Sequence, residues 1–192
     1  MKNLWIGLKL LLAMTVITGI IYPLFITGFA QLFFSDKANG SMIIKEHKLI
    51  GSELIGQKFT HPGNFWGRPS AIGNNPLPSG GSNLSPVGEE LKEQVQARID
   101  TIQKYHGNLS INQIPKDLLF ASASGVDPHI SPSAAYFQVD RIAKARNFDN
   151  IQKINLKELI KKSIESPDLV IFGDSRVNVL ELNLKLNDLK NN

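Results

Sequence analysis

The sequence predicts one N-terminal transmembrane helix followed by a small α+β extracytoplasmic domain. Three features carry that reading: an uncharged run of twenty-five residues from Leu10 to Phe34, lysines ahead of it with no net charge just behind it, and a remainder that mixes helical spacings with short strand-like runs. A chain of 192 residues has room for one ordinary domain plus an anchor, and hardly for two independent cores. With 42% hydrophobic and 20% charged residues, neither a disordered chain nor a polytopic membrane protein is indicated. Half of the net charge of +4 lies in residues 1–37 and half is spread over the rest, too diffuse to point to nucleic acid. The sequence has no cysteine, which excludes disulfides, thiolate metal sites, cysteine nucleophiles and lipoprotein anchoring.

At 1.5 Å per residue, Leu10 to Phe34 would reach about 37 Å against a hydrocarbon core of roughly 30 Å, enough to span with some tilt. A buried core helix of that length would need partners on every side. Lys2 and Lys9 precede the span, whereas Asp36 and Lys37 cancel just after it. The positive-inside bias therefore places residues 1–9 in the cytoplasm, residues 10–34 in the bilayer and residues 35–192 outside. Thr15, Gly19 and Pro23 recur every four residues along one face, where small side chains let a partner helix approach, and Pro23 predicts a kink. Lipid surrounds the other faces. The competing expectation is a signal peptide, with Lys2 and Lys9 as its basic region and Gly28-Phe29-Ala30 as a small-x-small cleavage site. That would release a secreted binding module starting near Gln31. The apolar run is longer than the usual apolar region of roughly 7 to 15 residues, and both readings export the remainder.

Residues 41–60 read as a hairpin, two apolar stretches around a polar centre at Lys45 to Lys48. From His61 to Pro86, proline, glycine, asparagine and serine prevent regular structure, and so long a loop in a compact domain usually has a function. Ser85 and Pro86 open a helix with Val87, Leu91, Val95, Ile99 and Ile102 as its apolar stripe and Gly107 as its stop. Pro115 opens a shorter helical segment through Leu118 to Ser122, ending near Gly125. Ser131-Pro132 starts a helix that runs to about Arg146 and buries Ala135, Val139, Ile142 and Ala143. Asn155, with Glu158 three residues later, predicts the cap of a third long helix with Leu156, Leu159, Ile160 and Ile164 inward, stopped by Pro167. Leu169 to Phe172 reads as a buried strand. Val177 to Val179 and Leu180 to Leu186 alternate as strands, although Val179, Leu182 and Leu186 also fit a helix.

No catalytic site and no metal site emerges from the residues. Val170-Ile171-Phe172-Gly173-Asp174-Ser175 resembles the nucleophile block of GDS-type esterases, which makes a membrane-anchored serine hydrolase the enzymatic alternative. In those enzymes the block comes early and the Asp and His late; here 17 residues follow Ser175 and none is His. Asp127, His129, Ser122 and Ser124 are triad residue types, but triads are defined by geometry, and Gly125 and Pro128 fit a rigid loop. Four dispersed histidines without clustered carboxylates do not make a metal site. Pro78 to Asn83 lacks the Gly-Lys-Ser/Thr of a phosphate-binding loop, so the residues predict no cofactor. Trp66 and Arg68 favour a protein interface, with coverage of the domain's own core as the equal alternative.

Five blocks in order carry a more specific signal: Gly51 to Gln57, Phe65 to Ala71, Asn75-Pro76 with Ser79 to Asn83, Ala121 to Ser131, and Val177 to Asn183. Together they resemble the C-subunit family of Kdp-type potassium-transporting ATPases, from the anchor to Leu186. The resemblance implies a non-catalytic accessory subunit of a bacterial P-type potassium importer, single-pass in the plasma (inner) membrane. Its implied partners are a channel-like potassium-binding subunit and an ATP-hydrolysing subunit. It also implies a catalytic-chaperone role that raises the ATP affinity of the hydrolysing subunit, so ATP enters by resemblance alone. With the domain expected on the far side of the membrane from cytoplasmic ATP, such an effect would pass through the membrane subunits. The blocks make Gln57, Phe65, Trp66, Arg68, Asn75, Ser79, Gly80, Gly81, Asn83, Asp127, His129, Asn178 and Asn183 the candidate partner-interface residues.

Overall fold

The computed structural model describes residues 1–107, 109–169 and 171–189. The chain divides into two compact units, Met1–Ser52 and Glu53–Asn192.

The first unit begins with a helical stretch over Lys2–Phe33, with a mean hydropathy of 2.1 and none of its most apolar window buried, long and apolar enough to cross a membrane. It consists of α1 (Lys2–Val16), a π turn (Ile17–Ile21) and α2 (Tyr22–Phe33). Pro23 has no N–H to give the Gly19 carbonyl, and the helix widens just before it into this π turn, in which the Tyr22 N–H reaches back to Ile17 O. Thr15 and Thr18 spend their hydroxyls on Leu11 O and Met14 O, at 2.8 and 2.7 Å. After α3 (Ser35–Ala38) comes the expected hairpin, shorter than predicted: β1 (Met42–Lys45) pairs antiparallel with β2 (Lys48–Ser52). Its turn residues Glu46 and His47 both have positive φ, the geometry that matches strand twist in two-residue hairpins.

The second unit has α4 (Glu89–His106), 3₁₀ turns at Ile111–Gln113 and Lys116–Leu118, β3 (His129–Ile130), α5 (Pro132–Phe137), α6 (Val139–Arg146), α7 (Asn150–Lys162), β4 (Ile164–Glu165), β5 (Arg176–Asn178) and α8 (Val179–Asp188). β5 is the central strand of a small antiparallel sheet in the order β3-β5-β4. The core is a single cluster in which Phe65, Ile142, Leu156, Ile160, Leu182 and Leu186 are fully buried.

Several expectations are corrected. Ser85 and Pro86 form a turn, with Gly88 N–H on Ser85 O at 3.0 Å; the helix starts at Glu89 and leaves Val87 exposed. The segment after Pro115 closes only a 3₁₀ turn before burying Leu118 and Leu119. Ser131 caps as expected, its Oγ accepting Ala134 N–H at 3.1 Å, but the helix to Arg146 is divided at Gln138. The third long helix starts six residues earlier than predicted, because Asp149 and Gln152 form a reciprocal capping box that outcompetes Asn155 and Glu158, both exposed mid-helix. Ile164 lies beyond that helix, in β4.

Leu169 to Phe172 is not a buried strand. Asp168 and Phe172 close a narrow bridge, Leu169 has φ +52°, and both edges of β5 are already taken by β3 and β4. Of that run, Val170 lies outside the described residues. Leu180 to Leu186 is helical rather than extended: Asn178 Oδ1 accepts the N–H groups of Leu180 and Glu181 at 3.0 and 3.2 Å, and the Val179, Leu182 and Leu186 spacing then faces the core.

Candidate partner interface

The long loop that starts at His61 is held by side chains from the helices. Phe65 is fully buried; its N–H donates to Asn183 Oδ1 at 2.8 Å and its carbonyl accepts from Asn183 Nδ2 at 3.0 Å. The backbone of Trp66 makes the same two-way exchange with Gln138, at 2.7 and 3.1 Å. Arg141 donates to the Pro62 and Asn64 carbonyls and to Gln138 Oε1, and its guanidinium lies 3.8 Å from the centre of the Trp66 ring. Burial, opposed weakly by Tyr105, lowers the Arg141 pKa to about 10. Arg146 adds bonds to Gly63 O and Asn64 Oδ1. These contacts give an irregular segment the backbone satisfaction that a strand would have had.

Further along, the loop is tied to the segment 121–127, as is Gly56 ahead of it. Ser122 N–H donates to Pro69 O at 3.0 Å, Ser70 Oγ to Gly125 O at 2.6 Å, Gly80 N–H to Ser124 O at 3.0 Å and Gly56 N–H to Val126 O at 2.7 Å. The approach is close enough to demand glycine. A Cβ on Gly56 would lie 2.5 Å from Asp127 O, and one on Gly125, where φ is +71°, would lie 2.6 Å from Gly80 O.

Charged groups continue from this junction. Arg68 Nη1 donates to Asp127 Oδ2 at 2.8 Å; His129 sits with Nδ1 3.6 Å from Asp127 Oδ1 and Nε2 3.8 Å from Glu165, which pairs with Arg176 at 2.9 Å. Burial pushes the Asp127 carboxyl up, but bonds from the His129 side chain and backbone and from Arg68 outweigh it and hold the pKa at about 2.

The candidate residues thus separate into groups. Gln57, Trp66 and Arg68 line one groove of about 460 Å³ beside α4. Asp127 and His129 belong to the charged chain that starts at Arg68. Phe65, Asn178 and Asn183 are buried, with Asn178 Nδ2 also holding Glu53 O at 2.8 Å. Gly80 and Gly81 sit against Ser124 and Ala123, while Asn75, Ser79 and Asn83 are exposed. Sequence reasoning missed Arg98 and Tyr105, which line the groove, and Gln138 and Arg141, which hold the loop. The signal was present: Arg98 and Tyr105 flank Ile102 at helical spacing, and Gln138 and Arg141 interrupt the apolar face of Ala135, Val139 and Ile142, where a buried polar group needs a partner. Among the described residues, no group of three or more histidine or carboxylate side chains is placed to hold a metal, and no hydrogen bond joins Ser175 to a histidine.

The family model for KdpC, described as the c chain of the K⁺-transporting ATPase, matches residues 4–188, from the apolar helix to the end of α8. The chain belongs to the KdpC family. It is similar to the potassium-transporting ATPase KdpC subunit of Polaromonas naphthalenivorans, 47% identical with 99% of this chain and 97% of the relative covered. That of Polynucleobacter asymbioticus is 48% identical over 93% and 94% of the two chains, and that of Leptospira interrogans 45% identical over 94% and 91%. The match runs through both units, so the helix and the domain belong to the KdpC family together.

Proposed function

We propose that this chain is a non-catalytic accessory subunit of an ATP-driven potassium importer. Its helix packs in the membrane beside a potassium-binding subunit, and its domain covers that subunit's extracytoplasmic mouth. The carrying observation is the KdpC family match from residue 4 to residue 188, which takes in the membrane-length helix and the domain alike. Lys2 and Lys9 ahead of the span favour a cytoplasmic N-terminus and a domain on the extracytoplasmic side of the plasma membrane. In that orientation any rise in the ATP affinity of the hydrolysing subunit, the chaperone role, reaches it through the membrane subunits. ATP is then a ligand of the partner.

The test is deletion of residues 41–192 with the anchor retained. Complex assembly and potassium uptake at low potassium should both be lost, and unchanged uptake would overturn the reading. Cysteine accessibility at Ser79→Cys, in the exposed loop, should report the extracytoplasmic side in intact cells.

A further inference from the structure

We propose that the groove between α4 and the segment Gln57 to Asn74 receives an acidic side chain of a partner subunit, carried next to an aromatic or aliphatic one. The inference rests on the subunit reading above and names the chemistry of the partner.

The groove has the volume of a site that takes a few side chains, about 460 Å³. Its walls are apolar, with Phe59, Trp66, Ile102 and Tyr105, and the last two aromatics meet edge to face at 5.5 Å. Lys58, Arg68 and Arg98 also line it, and no carboxylate does. Of these cations only Arg68 has a carboxylate partner among the described residues, and it uses Nη1 for Asp127 while its Nε stays buried without an acceptor. Arg98 gives its N–H groups to neutral oxygens, Leu119 O at 2.6 Å and Gln94 Oε1 at 3.0 Å. Burial lowers the Arg98 pKa, as expected for a partly desolvated cation with no counter-charge.

A purely apolar partner covering this groove would strip water from two uncompensated cations and lose the gain from burying Trp66 and Tyr105. A partner that brings a carboxylate with its apolar side chain satisfies both halves. The carboxylate meets Lys58 and Arg98, whose charge also steers the encounter. The apolar side chain lies against the aromatic wall, and the surrounding rim excludes water.

The experiment uses the full chain co-expressed with the other pump subunits. Lys58 is exposed, so Lys58→Glu should leave the melting temperature unchanged while lowering co-purification of the other subunits about tenfold at low salt. Lys58→Arg should retain assembly, and Lys161→Glu on the exposed face of α7 should not alter it. A benzophenone photo-cross-linker replacing Thr101 at the groove edge should mark a partner segment that contains Asp or Glu. If the wild-type chain assembles, yet Lys58→Glu assembles equally and the cross-linker reaches lipid, a small molecule or nothing, the groove assignment is overturned and the subunit reading stands. If the wild-type chain brings down no subunit, the subunit reading falls and the groove assignment falls with it.

Discussion

The loop that starts at His61 and the run from Leu169 to Phe172 exchange the places that hydropathy would give them. The first is rich in proline, glycine, asparagine and serine, yet it buries Gly63 and Phe65 and keeps Asn64, Trp66 and Arg68 half-buried. The second is uninterrupted apolar sequence, yet Leu169, Ile171 and Phe172 are 82%, 75% and 62% exposed. The difference lies in backbone hydrogen bonding. Asn183, Arg141 and Arg146 from helices, and Gln138 from the junction of α5 and α6, reach to the polar backbone of the first loop, so it can leave water without orphaned groups. The apolar run closes a bridge on itself and finds no free strand edge at β5, so its side chains stay outside.

If the loop is core by virtue of its partners, removing what it buries should do most damage. Phe65→Ala should destabilise the domain by about 4 kcal/mol in urea unfolding of the detergent-solubilised chain, since it empties a fully enclosed site. Asn183→Leu keeps the volume but orphans the Phe65 N–H and carbonyl, and a loss of about 3 kcal/mol is expected. A loss much smaller than that would mean that water replaces the amide and that the loop is held mainly by packing. Gly125→Ala should come next, at about 2 kcal/mol, from its positive φ and the contact with Gly80 O.

The pH dependence separates the two charged neighbourhoods of the loop. Asp127, held at about 2 in the folded chain against an ordinary 3.8, contributes stability that is present above pH 3.8 and lost as pH falls through about 2. Asp127→Asn should therefore flatten the acid limb below pH 4. His106 acts in the same direction in a higher window: burial first, then Arg141, lowers its pKa from 6.5 to about 4 against the pull of Asp140. The unfolded chain takes up that proton first, so stability falls between pH 6.5 and 4. His106→Phe, which preserves the stacking on Phe137, should remove that slope and leave the lower limb intact. Melting temperatures from pH 7 to 2.5 would resolve the two.

The elements legible in the sequence were those whose local code agreed with their packing: the membrane-length helix, the hairpin at residues 42–52, the helix ending at Gly107 and the Ser131 cap. Two of the failures came from a nearer cap, as Asp149 and Gln152 displaced Asn155, and Asn178 turned an alternating run into α8. The candidate site was legible as a set of loops but not as a groove. Trp66 and Arg68 acquire a cavity only when α4 brings Arg98, Thr101 and Tyr105 against them, a long-range pairing that no local spacing encodes. The blocks that identify the family mix residues that hold the loop, such as Phe65 and Asn183, with residues that face the groove, such as Gln57 and Trp66.

The smallest effect on stability is expected at the other end of the comparison. Ile171→Ser removes an apolar side chain that is three-quarters exposed, so unfolding should shift by no more than about 0.5 kcal/mol. Leu169→Gly places at φ +52° a residue that adopts it without Cβ strain, which should offset part of glycine's greater freedom in the unfolded chain. Apolar groups left outside at no benefit to folding lower solubility, so both variants should reduce self-association of the detergent-free domain face in light scattering at equal stability. A loss of about 2 kcal/mol for Ile171→Ser would contradict the exposed placement and restore the buried-strand expectation for Leu169 to Phe172; near neutrality leaves the polar loop as the interior and the apolar run as surface.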